Sequence, residues 1–349
     1  MVSPAHAAGS LAHQPTKHAR SLLPLGLIGM VAVLLAVGML SLRVGSLGIT
    51  TSDAWNALFH YDPDNYAELV VRTLRLPRTC YAIVLGAGLG LSGTIAQAIT
   101  RNPLADPSIL GVSSGATLAV VIAVYFFGLT APYQYVWFAF AGAMLASLLV
   151  FVMSSAGRGG ASPAKVALAG IVISAMLASW TSALLLLDRE TMDVVRFWMA
   201  GSVAGRDLNT LYWLAPFIIG GSIVGLFLGH QLNVLSLGDE TARALGMRTG
   251  TLRLAALVLV VVITGASVAA AGPIAFIGLA TPHLVRSVIG PDYRWVLPYS
   301  VVVGAILLTS ADVIGRVVAR PSEVQVGIVT AIVGAPVLIA LARRRTLAS

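Results

Sequence analysis

The chain has 349 residues, of which 57% are hydrophobic and only 10% charged; a soluble domain carries about 25% charged residues, and a soluble fold cannot hide this much apolar surface. The net charge of +8 comes from basic residues set singly or in small groups between apolar runs, with no aromatic-basic stripe, which excludes nucleic acid as a partner. The single cysteine, Cys80, excludes an internal disulfide and a cysteine-cluster metal site.

Residues 1–21 are polar and place Lys17 and Arg20 ahead of the first apolar run, Leu22 to Leu42. That run is too long for a cleaved leader and lacks a small-residue cleavage site after it, so it is expected to stay as the first span behind a cytoplasmic tail. Further runs follow at Tyr81 to Thr100, Ser114 to Gly128, Val136 to Ser154 and Val166 to Leu187. The second half supplies Leu211 to Gly229, Leu252 to Ala271, Ile274 to Ile289, Val296 to Arg316 and Val326 to Leu341. Lipid offers no partner for an open backbone, so these runs must be helices, and a barrel would show short alternating strands instead. The expected fold is therefore all-α: a polytopic membrane domain over residues 22–345 with about ten transmembrane helices of roughly 20 residues each.

With both termini cytoplasmic, the inner loops hold Arg101, Arg158, Lys165, Arg243, Arg248, Arg253, Arg286, Arg294 and the Arg343 to Arg345 run, in line with the positive-inside tendency. The outer arginines then need another reason: Arg72, Arg75 and Arg78 crowd one outer loop, and Arg316 and Arg320 another. Neighbouring acids could neutralise some of them, Asp312 standing one turn before Arg316. Small residues recur every four positions, as Ala82, Gly86, Gly90, Thr94 and Ala98 in the second span and Gly170, Ser174, Ala178 and Ser182 in the fifth. Such stripes let helix backbones approach closely, and they suit either tight packing or helices beside a pathway.

The helix centres are nearly free of ionisable residues, so a proton-driven mechanism lacks its usual parts. A sodium site of backbone carbonyls around Gly272 and Pro273 stays open as the basis of an ion-coupled secondary transporter. No glycine precedes either lysine, Lys17 or Lys165, so the chain has no Gly-Lys-Ser/Thr phosphate loop, and any ATP would have to be hydrolysed on a partner. Gly111-Val112-Ser113-Ser114-Gly115 fits the G-x-S-x-G pattern, and with His283 it would make a membrane hydrolase. In a glycine-rich chain that pattern arises by chance, and Ser113 and Ser114 equally serve to cap the third span.

The segment Asn233 to Gly250 mixes polar and apolar residues. Leu235, Leu237, Ala242, Leu245 and Met247 are expected to form an apolar side, with Gly238 and Gly246 dividing the segment into short helices. Asp239 and Glu240 fall in a first helical turn, where the dipole favours them, and they make a protein groove a better partner than an anionic lipid surface.

These segments together resemble the iron-chelate (FecCD-type) ABC importer permease family. The resemblance lies in LRLPR at Leu74 to Arg78, GAGLGLSGTIAQAITRNPLADPSILGVSSGA from Gly86 to Ala116, and LSLGDETARALGM from Leu235 to Met247. It continues in GPIAFIGLATPHLVRSVIGPDYR from Gly272 to Arg294, in ADVIGR, and in GIVTAIVGAPVLIALARRR near the end; Tyr293 stands where relatives often carry His. The likeness implies a permease subunit, paired with itself or a paralogue, resting on ATPase subunits that hold ATP and Mg, and receiving cargo from an extracytoplasmic binding protein. Cargo would be a ferric siderophore, with haem and vitamin B12 as alternatives, and no cofactor or catalytic residue is expected on this chain. By the same likeness Arg75, Arg78 and Arg316 would dock the binding protein, and Leu235, Leu237, Gly238, Asp239, Ala242, Leu245 and Gly246 would couple to the ATPase. Asn102, Pro103 and Leu104, with Ser162 and Pro163, would form the cytoplasmic gate, while Gly86, Gly90, Gly170 and Ser174 would line the path or pack beside it.

Overall fold

The computed structural model describes residues 22–45, 47–156, 163–320 and 322–346, without the side chains of Pro163 and 337–346. The polar tail, Arg158 and Ser162 lie outside the described residues, as do the side chains of Arg343 to Arg345. Every regular element among the described residues is helical. Among the described residues, seven helical segments are long and apolar enough to cross a membrane. They are α1 (Leu23–Arg43), the segment Tyr66–Thr100, α6 (Pro132–Ser155), α7 (Pro163–Leu187), α9 (Leu208–Leu226), α12 (Thr249–Ala271) and α14 (Tyr293–Val318). Three shorter apolar helices, α5 (Val112–Phe127), α13 (Ile277–Ile289) and the start of α15 (Val326–Thr346), complete the ten predicted apolar runs in order.

The second span differs most from its expected limits. Expected from Tyr81, it is the end of a continuous helical segment made of α3 (Tyr66–Val70), a wide π turn (Val71–Arg75) and α4 (Leu76–Thr100). Arg75 and Arg78, read as loop residues, lie inside that segment, where internal partners satisfy their charges. Short helix α2 (Thr51–Phe59) packs on α1 and α3, and α8 (Arg189–Met199) packs on α5 and α7. Their starts follow from local chemistry, since Thr50 and Asp53 form a reciprocal cap and Asp188 accepts the Glu190 and Thr191 amides.

α4 is the central post: 83% of its apolar window is buried, against 17% for α1, which faces outward. It packs on α14, α12, α13 and α9. The glycine stripe makes this possible, because a Cβ on Gly86 would stand 2.5 Å from the Gly304 carbonyl oxygen and one on Gly90 2.5 Å from that of Ser300. Gly86 and Gly90 are thus close-packing residues against α14. In α7, a Cβ on Gly170 would meet the Ile109 carbonyl at 1.8 Å, which seats that helix on the turn Pro107–Leu110, and Ser174 is half-buried. α12 stops at Gly272, whose φ of +80° takes the chain into an extended link before α13. Ala271 accepts the Ser202 amide at 2.8 Å across this break, and the Pro273 carbonyl lies against Gly201 and Gly327.

Candidate functional site

Among the described residues, two clusters of polar side chains mark the two ends of the bundle; the end that holds Arg101, Arg243, Arg248 and Arg253 is called the inner end and the opposite one the outer end. At the inner end, α10 (Gly229–Ser236) and α11 (Asp239–Ala244) form the predicted short helices. Gly238 and Gly246 both take positive φ, 114° and 82°, so the glycine punctuation acts as the sequence suggested. The expected apolar side is divided between two surfaces. Leu235 and Ala242 are fully buried and hold the segment down, whereas Leu237 and Leu245 are 63% and 64% exposed.

Asp239 does more than complement a helix dipole. Its Oδ1 accepts from Arg101 Nη2 at 2.6 Å and from Arg253 Nη2 at 2.9 Å, and Arg101 Nη2 also donates to the Leu235 carbonyl at 2.8 Å. One carboxylate therefore ties α11 to the end of α4 and the start of α12. A second tie uses Asn233, whose amide nitrogen donates to Asp292 at 2.7 Å while its oxygen accepts the Tyr293 amide at 2.9 Å. Only the backbone of Tyr293 takes part in this tie, so the Tyr-for-His departure leaves it intact. Asp292 caps α14, and bonds from the Arg294 guanidinium and the Asn233 amide hold its carboxyl well below the usual carboxylate range, at about 2. Nothing in the local pattern signals Arg101, Arg253, Asn233 or Asp292 as members of one module. Their partners stand up to 138 residues away.

Beside this module, the Asn102 side chain accepts the Leu104 amide at 3.0 Å and folds Asn102, Pro103 and Leu104 into a tight turn. Asn102 faces a cavity of about 740 Å³ lined also by Ala105, Asp106, Phe151, Arg243 and Arg253. Pro163 begins α7 at the same cavity's edge, next to Ala164, which lines it. The Ser113 and His283 pairing does not gain support from the packing. Ser113 opens α5, which packs chiefly on α6, α7 and α12, whereas His283 is on α13, which packs chiefly on α4 and α14.

At the outer end, Arg75, Arg78 and Arg316 converge on one buried cluster. Arg75 donates to the carbonyls of Leu42 at 2.9 Å, Arg43 at 2.5 Å and Leu47 at 2.5 Å, where α1 ends. Arg316 donates to the Ser41 carbonyl at 2.7 Å, to the Val44 carbonyl at 3.2 Å and to Asp312 at 3.0 Å. Arg78 grips Asp312 through Nε at 2.8 and 3.0 Å and Nη2 at 2.8 Å, and its Nη1 pairs with Glu323. Arg75 and Arg316 are buried, and both guanidinium ends donate to groups within the chain. All three arginines line an outer cavity of about 540 Å³ together with Arg206, Asp207 and Glu323, and Arg78 is the one among them paired with a partly exposed carboxylate, Glu323. The pairing of Asp312 with Arg316 is the neutralisation that their four-residue spacing suggested. Glu323 carries no local sequence signal for this role.

The FecCD transport family model matches residues 33–344. The chain is 39% identical over 318 residues to the probable siderophore transport system permease protein YfiZ of Bacillus subtilis (strain 168), covering 91% of this chain and 95% of that one. It is 42% identical over 319 residues to the ferric enterobactin transport system permease protein FepD of Escherichia coli (strain K12), again over 91% and 95%. A solved structure of an inward-facing metal-chelate type ABC transporter superposes with a TM-score of 0.80 at 29% identity, covering 92% of this chain and 99% of that one.

Proposed function

The chain belongs to the FecCD transport family, and from that premise we propose that it is the permease subunit of a binding-protein-dependent importer of ferric siderophore. It crosses the membrane ten times with both termini in the cytoplasm, and it pairs with a second permease subunit. ATP and Mg sit on partner ATPase subunits. The observation that carries this reading is the inner module. Asp239 clamps the segment to α4 and α12, and Leu237 and Leu245 project from it. A pair of exposed leucines on a segment braced this way suits an apolar groove on another protein, and a push on it reaches α4, the most buried helix, through Arg101.

Transport then runs by alternating access. ATP binding draws the ATPase subunits together, the coupling segments follow, and the bundle changes the side to which its path opens. The turn at Asn102, Pro103 and Leu104 and the chain around Ser162 and Pro163 form the inner gate, their prolines keeping each loop stiff as it moves. At the outer end the binding protein delivers cargo through a carboxylate that meets Arg78, an arrangement giving orientation and rapid association more than affinity. Selectivity rests mainly with that binding protein. Uptake by the reconstituted complex of separately labelled cargoes, with radioiron in the siderophore and in haem and radiocobalt in vitamin B12, tests the cargo. Ferric siderophore should accumulate without competition from haem or vitamin B12, and accumulation of either of those in its place would overturn the assignment.

A further inference from the structure

Arg78 has two carboxylate partners of unlike character. Asp312 has no exposed side-chain surface and is shared with Arg316, so it is part of the fold. Glu323 is 38% exposed and reaches Arg78 from the link between α14 and α15, at the rim of the outer cavity. The backbone beside it is pinned, since the Val324 amide donates to the Gly315 carbonyl at 3.0 Å, and Gly315 admits that approach because a Cβ there would lie 2.5 Å from the Val324 oxygen. Glu323 can therefore leave Arg78 by turning its side chain alone. The cavity it would uncover is lined by Arg75, Arg78, Arg206 and Arg316 against Asp207, a cationic recess with room for one acidic side chain.

Resting on the docking reading given above, we propose that Glu323 is an internal stand-in for the partner's carboxylate. It holds Arg78 until an acidic side chain of the binding protein replaces it, so docking exchanges one ion pair for another. The exchange has a physical logic. Without Glu323, Arg78 would keep Asp312 but leave Nη1 open beside three other guanidinium groups, with one buried carboxylate shared between Arg78 and Arg316; Glu323 offsets that surplus charge between encounters. It also competes with the partner, which keeps capture weak enough for release after each delivery. A partly exposed pair is a mild competitor, so Glu323→Gln should tighten capture about two- to fivefold.

The test uses the purified permease and ATPase complex in lipid nanodiscs, with the purified cargo-loaded binding protein of the same transport system as the probe in surface plasmon resonance. Four permeases are compared: wild type, Glu323→Gln, Arg78→Gln, and Arg78→Lys as a version that keeps the charge on the fold. Weaker capture by the Arg78 variants together with tighter capture by Glu323→Gln supports the exchange. Weaker capture by the Arg78 variants with unchanged or weaker capture by Glu323→Gln overturns the stand-in and leaves the docking reading in place. Unchanged capture by the Arg78 variants removes the docking reading and this proposal with it. A partner-free arm follows phenylglyoxal modification of Arg78 by mass spectrometry. Faster modification in Glu323→Gln than in wild type supports release of the guanidinium, and equal rates contradict it.

Discussion

Replacing Asp312 with Asn should destabilise the permease by about 3–5 kcal/mol, the cost of leaving buried charge without its partner, seen as a large fall in melting temperature and purified yield. Asp312 is the only buried carboxylate facing Arg78 and Arg316 among the described residues, and it accepts bonds from both. Asparagine keeps the shape but removes the charge and turns one acceptor into a donor aimed at a guanidinium. Since a folded domain holds only about 5–15 kcal/mol in reserve, the loss takes a large share of that margin. Glu323→Gln is the matched control: it removes a carboxylate from the same Arg78, but a partly exposed one, and should cost about 1 kcal/mol or less. Equal melting of Asp312→Asn and wild type would show that the cluster does not hold the outer ends of α1, α4 and α14 together.

The second large effect is expected at the coupling segment and should leave the fold untouched. Leu237 and Leu245 are mostly exposed, so Asp at both positions meets water in the isolated chain. Seating two leucines in a partner's groove gains about 1.5–3 kcal/mol each, so the double substitution should weaken ATPase binding by roughly 100- to 10,000-fold. The purified permease should melt as wild type, fail to retain the ATPase on a sizing column, and show no ATP-driven uptake. Leu235→Asp separates folding from coupling, because Leu235 is fully buried and its substitution should damage both stability and uptake. Normal uptake by the Leu237 and Leu245 double variant would remove the segment from the coupling role.

The apolar runs are readable from sequence because lipid demands length and hydropathy of each helix separately. The start of the second span was misplaced for the same reason. A hydropathy criterion stops at Arg75 and Arg78, and their partners, the carbonyls of Leu42, Arg43 and Leu47 and the carboxylates of Asp312 and Glu323, lie far off in the chain. The glycine stripe likewise announces close packing, but that Gly86 meets Gly304 is a tertiary fact. At the inner end, Gly238 and Gly246 reveal the shape of the segment Asn233 to Gly250 through their need for positive φ. Which leucines it shows and which it hides depends on Arg101 and Arg253 gripping Asp239, a contact that periodicity does not encode.

This permease is expected to move cargo only when a partner ATPase works through the Asp239-clamped segment. Concentrative iron-chelate uptake into sealed proteoliposomes, measured with and without the ATPase subunits and ATP on the coupling side, tests it most directly. Uphill accumulation should require both; accumulation driven by an ion gradient in vesicles holding the permease alone would contradict it.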